Sequence, residues 1–434
     1  MRNQSYGLRC VHCGKLHEDI EDRFLLACDQ DHDPALLRAE YGHKNFSIQE
    51  ELPGLFRYKQ WLPVRRVFDT PVLPAVFKSE NLARRIGLEN LWFAFNGYWP
   101  ERGGNMETCS FKELEAFPVC ARRSLTAVGT LVVSSAGNTG RAFLQTCSLF
   151  GIPALIVVPQ AALPEMWLTC EKHPDVRLAV LQGDGDYLDV IELASRIASL
   201  EGFFPEGGAK NVARRDGMGT VVLAAVESIG RLPDHYFQAV GSGTGGIAAW
   251  EMSRRLVESG GYGDKKMKLH LVQNNPFTPM SEAWQAKSRD LPPIDEQLAK
   301  RQIARMHTGV LSNRKPPYGI AGGVYDALLD SQGCMYSVSG EEALLAGWLF
   351  ESLEGCDLDP AAEVALAGLV RAVRQGIIDR SDLVLLNLTG GGRKRVALER
   401  NIRQVQPDYL ISSKQLSSSQ LAKQLLRSPV NTTV

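Results

Sequence analysis

The 434-residue chain repeatedly sets an apolar run, a short glycine-rich loop and a helical stretch in that order. Leu131-Val132-Val133 leads into Ser134-Ser135-Ala136-Gly137-Asn138-Thr139-Gly140, then a helix from Arg141 to Phe150, then Ala154-Leu155-Ile156-Val157-Val158. The run from Val176 to Leu181, the turn Gly183-Asp184-Gly185-Asp186 and a helix from Tyr187 to about Leu200 continue the pattern. A second set holds a helix from Asp216 to Ile229, a strand at Tyr236–Val240, the loop Gly241–Gly246, a helix from Ile247 to Val257 and a strand at Lys268–Val272. Runs that are apolar at every position are buried on both faces, and helices between them act as crossovers, so parallel sheets are required. Such a length exceeds one compact core. The chain is therefore expected to be α/β, with two open, mainly parallel-sheet domains and a ligand cleft between them. Residues 125–205 form the small domain, 46–124 and 206–410 the large one, 1–45 a small cysteine-containing appendage and 411–434 a polar, mobile tail. Residues 276–325 are rich in Pro, Asn and Gly and are expected to be irregular loops around the site.

Charge narrows the partners. Forty-eight basic residues face 49 acidic ones for a net charge of −1, which provides no global field for nucleic acid or an anionic membrane, so any anion must be recognised locally. Met1 to Tyr6 lack the apolar core of a secretory signal, and the longest apolar stretch, Leu149 to Pro159, is too short to span a bilayer. Nine scattered cysteines do not make the paired framework of a secreted scaffold. The expectation is a soluble cytoplasmic protein acting on small molecules.

Four elements match the needs of one cofactor, pyridoxal 5′-phosphate: an amine for its aldehyde, donors for its phosphate, a partner for its ring nitrogen and a hydrogen bond to its ring oxygen. Lys112, ahead of the helical opening Glu113-Leu114-Glu115-Ala116, is the candidate amine, although alone it reads as a solvated lysine facing Glu115. In the 134–140 loop, exposed N–H groups and hydroxyls at Ser135, Ala136, Gly137 and Thr139 can nest a carboxylate, and Asn138 can reach a phenolic oxygen. The loop Gly241-Ser242-Gly243-Thr244-Gly245-Gly246 can hold a phosphate at a helix N-terminus; it also satisfies the dinucleotide pattern G-x-G-x-x-G, but Glu258 and Asp264 fall in a turn and not at a strand end. Thr389-Gly390-Gly391-Gly392 follows the run Leu383–Leu388 and places a hydroxyl where it can meet the ring nitrogen. A neutral partner there leaves that nitrogen unprotonated, which suits elimination and replacement.

Together, Ser110-Phe111-Lys112, Ser135–Gly140, Gly241–Gly246 and Thr389-Gly390-Gly391 resemble the fold-type II pyridoxal phosphate enzymes, the tryptophan synthase β-like group, and the cysteine-bearing N-terminus resembles threonine synthase and its relatives. Threonine synthases run close to Gly-Ser-Phe-Lys-Asp-Arg, whereas this chain reads Cys109-Ser110-Phe111-Lys112-Glu113-Leu114. With Gly97–Glu101, Asn211–Thr220 and Pro233–Gly246, the variant is similar to the branch that makes cysteate for coenzyme M in methanogens, and the likeness runs from the cysteines to about Arg395. It implies β-replacement through an aminoacrylate: O-phospho-L-serine loses phosphate and sulfite adds. It also implies the roles: Lys112 as base; Ser135, Ala136, Gly137 and Thr139 on the substrate carboxylate; Asn138 on the ring oxygen; Ser242, Gly243, Thr244, Gly245 and Gly246 on the cofactor phosphate; Thr389 on the ring nitrogen. Family habit further implies a homo-oligomer.

A phosphorylated substrate and an anionic nucleophile call for cations, and Arg102, Arg214, Arg215 and Lys394 flank the shared motifs. Cys10-x-x-Cys13 with Cys28 and His32 resembles the ligands of a zinc knuckle, though a second C-x-x-C is missing. Three alternatives stay open at this point: threonine synthesis from O-phosphohomoserine, another nucleophile in place of sulfite, and a non-catalytic zinc or scaffold protein on an enzyme fold.

Overall fold

The structure, a computed structural model, describes residues 6–19, 23–124, 128–412 and 417–426; Met1 to Ser5, Leu125 at the expected domain boundary and the 427–434 end of the expected tail lie outside them. Two sheets organise the chain. The larger has six strands in the order Cys334–Val338, Lys268–Asn274, His235–Ala239, Leu383–Leu388, Asn90–Phe95 and Ala75–Lys78, all parallel but for the antiparallel last edge. The smaller is wholly parallel: Phe203–Pro205, Thr130–Ser134, Ala154–Pro159, Val176–Leu181 and Tyr409–Ile411. The central runs 154–159, 235–239 and 383–388 are buried at every residue, as two covered faces require.

Helix starts explain most boundary shifts. The helix Tyr187–Ala198 opens at a capping box, Asp186 against Asp189, where the Gly-Asp turn marked it. The helices Asn138–Phe150, Val212–Ile229 and Thr244–Ser259 begin three or four residues earlier than hydrophobic periodicity suggests. The first turns of Asn138–Phe150 and Thr244–Ser259 are polar and glycine-containing, and that of Val212–Ile229 carries Arg214 and Arg215, so none of them shows an apolar stripe. Residues 276–325 are not wholly irregular, since Pro279–Gln285 and Glu296–Ile303 are short helices.

Both chain ends depart from expectation. Residues 6–41 are not a detached appendage: strands Leu16–His17, Tyr6–Cys10 and Leu37–Tyr41 make an antiparallel sheet whose Tyr6, Leu8, Ala39 and Tyr41 join the main core. Tyr41 donates to Asp216 at 2.6 Å and Arg38 pairs with Glu251 at 3.1 Å, on the helices Val212–Ile229 and Thr244–Ser259. The boundary expected at 410/411 falls inside the strand Tyr409–Ile411. The helix Ser418–Leu426 then buries Leu421 and Leu425 against Val190, Leu193 and Ile197. Among the described residues, no helix is long and apolar enough to cross a membrane.

Candidate functional site

The parallel strands of both sheets deliver their carboxyl ends to one cleft, the usual place for a ligand in open α/β sheets. Ser135 to Thr139 follow one strand, Val240 to Gly245 another and Thr389 a third; with Phe111, Lys112, Tyr187, Arg214, Val310 and Asn313 they line the cavity. Lys112 sits at the N-cap of the helix Glu113–Arg122. Its Nζ lies 3.3 Å from Glu115 Oε2 and 4.7 Å above the Phe111 ring, and desolvation holds its pKa below the ordinary lysine value even with Glu115 opposing the shift. A depressed ammonium is what a nucleophilic lysine needs.

Close approach of the Thr389 turn places it against the lysine. Phe111 donates its N–H to Thr389 O at 3.0 Å and Ser110 bridges Gly390. A Cβ on Gly390 would lie 2.6 Å from Cys109 O, so glycine is required there. Cys109 takes φ 55, a conformation that glycine enters freely and a cysteine does not.

The Asn138 amide is oriented by Arg141. This buried guanidinium donates to Asn138 Oδ1 at 2.7 Å, to Thr108 O at 3.0 Å and to Glu165 at 2.9 Å. Arginine can only donate, so the contacted atom must be the oxygen. What Asn138 has left are N–H donors, one turned toward Asp359, which suit an anionic ring oxygen. Arg141→Lys, which cannot make all three contacts, is expected to weaken cofactor binding on the order of tenfold in a fluorescence titration, the value of one charge-assisted hydrogen bond. Unchanged affinity would show that the amide orients itself.

Helix Thr244–Ser259 has Gly243 as N-cap, at φ 79 and with no side chain of its own to cap it; Thr244 N–H reaches Ser242 Oγ at 3.3 Å, and the next amides of the first turn meet no capping side chain. Ser242 and Thr244 hydroxyls lie 2.7 Å apart at that end. By contrast, the Ser135 hydroxyl is turned inward, accepting from Gly137 N at 3.0 Å and Gly140 N at 2.7 Å, and Thr139 Oγ1 donates to Glu115 at 2.8 Å. These side chains shape their loop, and because Ser135 also donates its N–H to Val157 O at 3.0 Å, the 135–139 loop keeps only the N–H groups of Ala136, Asn138 and Thr139 for an anion.

The expected cations separate. Arg214 lines the cleft, flanked by Glu115 at 3.2 Å and Glu206 at 2.6 Å. Arg215, one residue on, points to the other side of the helix, where it pairs with Glu251 at 2.9 Å under the N-terminal sheet. Arg102 is exposed and stacks on Phe77 and Trp99, and Lys394 pairs with Glu351 on the surface; neither lines the cleft. Gly246 is also outside the lining, packed toward Leu271 inside its helix. Residues passed over in the sequence include Arg141, Tyr187, Gln238 and Asn387. Two carried a signal, a polar residue within an apolar strand: Asn387 donates to Tyr236 Oη at 2.7 Å and Gln238 Oε1 at 3.0 Å, forming a buried polar floor beneath the cleft.

Glu113 lies behind the lysine. Burial pushes its carboxyl up to about 7 from 4.5, although Thr108 donates both N–H and hydroxyl to it at 2.7 Å. The folded state therefore binds a proton that the unfolded chain releases first, so this contribution is full below about pH 4.5 and lost as pH rises through about 7. Glu113→Gln is expected to remove that slope from urea midpoints measured across the window; an unaltered slope would place the titration elsewhere.

Residues 66–390 match the family model of pyridoxal-phosphate dependent enzymes. The chain is 48% identical over 407 residues to cysteate synthase of Methanosarcina acetivorans, covering 94% of this chain and 96% of the relative. It is 49% identical over 405 residues to cysteate synthase of Methanoculleus marisnigri, covering 93% and 92%. Maize serine racemase superposes with a TM-score of 0.55 at 15% identity over 73% of this chain and 89% of that one. A pyridoxal 5′-phosphate-dependent aspartate racemase superposes with 0.54 at 16% over 73% and 90%, and the two likenesses show the shared fold. The chain belongs to the pyridoxal-phosphate dependent enzymes, and within them to the cysteate synthase family.

Proposed function

We propose that this enzyme makes L-cysteate and phosphate from O-phospho-L-serine and sulfite. The observation that carries the reading is the near-end-to-end identity with cysteate synthases, together with a cleft built around a desolvated lysine. The residues present fit the cofactor: Lys112 for its aldehyde, the uncapped 243–245 helix end for its phosphate, Asn138 for its ring oxygen and Thr389 for its nitrogen. When bound, the cofactor withdraws electrons from Cα.

The chain's own groups do the rest. Of the 135–139 loop, the N–H groups of Ala136, Asn138 and Thr139 orient the substrate carboxylate, since Ser135 and Gly137 donate theirs within the protein, and Lys112 takes the Cα proton. Phosphate departs with the C–O electron pair, the sulfur lone pair of sulfite forms the new C–S bond, and Lys112 returns the proton to Cα. Arg214 is the one guanidinium among the described lining residues, so it faces the departing phosphate and the arriving sulfite. Its charge is shared with Glu115 and Glu206, an arrangement suited to holding phosphate loosely enough to release it.

The test supplies O-phosphoserine and O-phosphohomoserine separately, each with and without sulfite, and follows phosphate and amino-acid products by mass spectrometry. Sulfite-dependent cysteate from O-phosphoserine is expected. Threonine from O-phosphohomoserine, or a product containing another nucleophile, would overturn the assignment.

A further inference from the structure

The function just described does not use the N-terminal cysteines. Cys10 ends the strand Tyr6–Cys10, Cys13 lies in the following turn, and Cys28 and His32 come from the next loop, yet their four ligand atoms all lie within 4.8 Å of one another. A tetrahedral zinc ion bound at the usual Zn–S and Zn–N lengths sets edges of about 3.8 Å between two sulfurs and about 3.6 Å between sulfur and nitrogen. Cys13 Sγ to Cys28 Sγ is 3.7 Å and Cys10 Sγ to His32 Nε2 is 3.4 Å.

The surroundings are arranged for a ligand set. His32 Nδ1 lies 2.6 Å from Asp33 O, a carbonyl that can only accept, so the proton sits on Nδ1 and the Nε2 lone pair faces the sulfurs. The Cys10–Lys15 turn is closed by Cys10 N to Lys15 O at 2.9 Å and Gly14 N to Cys10 O at 3.0 Å, which brings the first two thiols to one side. His17 Nε2, 3.3 Å from Cys28 Sγ, can donate to a thiolate. Three thiolates and an imidazole with no open position select zinc and a structural role.

We propose that Cys10, Cys13, Cys28 and His32 bind one structural zinc ion, and that this metal clamps the 28–36 segment against the loop 309–323 of the cofactor cleft. Ala321 donates to Pro34 O at 3.3 Å, Leu36 donates to Ala321 O at 3.0 Å, and Val11, between the first two cysteines, donates to Leu36 O at 3.0 Å. Val310, Leu311 and Asn313 of that same loop line the cleft. Binding releases the thiol protons to solvent and involves no redox change.

The test uses the purified holoenzyme. One zinc per chain is expected by elemental analysis, with X-ray absorption showing three sulfurs at about 2.3 Å and one nitrogen at about 2.0 Å. Cys13→Ser/Cys28→Ser is expected to lose the metal, His32→Ala to lose roughly tenfold or more in zinc affinity, and His17→Gln to keep stoichiometric zinc. Should the serine variant fail to fold, cobalt exchanged into the wild type must show thiolate-to-metal charge-transfer absorption. Absence of metal from the wild type, a Cys13–Cys28 disulfide found by mass spectrometry, or zinc content indifferent to these substitutions would overturn the site. Amide exchange of 309–323 is expected to speed up when a chelator strips the metal; equal exchange would overturn the clamp.

Discussion

Lys112→Ala is expected to lose about 10³-fold or more in kcat/KM, together with the visible absorbance band of a lysine-bound cofactor. The amine is placed at a helix N-cap, partly buried, with its charge disfavoured by desolvation and Glu115 within 3.3 Å. Among the described lining residues, none supplies a second amine. The helix end at Gly243 and Asn138 remain intact in the variant, so the cofactor is expected still to be taken up but to leave on dialysis. Absorbance spectra before and after dialysis, with circular dichroism to show an unchanged fold, check this. Turnover and a persistent band in the variant would remove Lys112 from the chemistry.

Arg215→Leu is expected to cost stability, about 3–5 kcal/mol, while the folded variant keeps its kcat/KM. The guanidinium is 1% exposed, pairs with Glu251 at 2.9 Å and donates to the carbonyls of Leu37 and Ala209. Its removal takes a donor from two carbonyls and leaves the buried Glu251 with Arg38 as its remaining close ion-pair partner, at 3.1 Å, and Arg255 farther off. Urea unfolding of the holoenzyme and steady-state kinetics under folding conditions separate the two effects. A large fall in kcat/KM at unchanged stability would return Arg215 to the substrate. Its neighbour Arg214 is expected to behave in the opposite way, because one residue of helix turns the side chain by about 100°.

These two arginines show where the sequence stops being legible. Strands 154–159, 176–181 and 383–388 could be read because they are largely apolar, and the three ligand loops because glycine and hydroxyl residues interrupt such runs. Adjacent arginines in Asn211–Thr220 differ only in helical phase, and the helix Val212–Ile229 is buried nearly all round, so no apolar stripe sets its phase. Arg141 was hidden for another reason: its partners, Asn138 apart, lie outside its own segment, at Thr108 and Glu165, and Glu115, read only as facing Lys112, also meets the distant Thr139 and Arg214. In the N-terminal sheet the period-two signal was present at Tyr6, Leu8 and Cys10 but only five residues long. A strand of that length has little to distinguish it from loop.

The strand Tyr409–Ile411 has a consequence for biosynthesis. The smaller sheet receives its last strand only after the whole larger sheet has been made, because its neighbour Val176–Leu181 precedes it by more than two hundred residues. On the ribosome, the nascent smaller sheet carries an open edge beside Val176–Leu181 until the closing segment emerges. Such an edge is a template for wrong pairing between chains. Translation that stops short of residue 409 therefore yields a chain with every cleft-lining residue in place and an unsealed flank, prone to stick to its own kind rather than to catalyse.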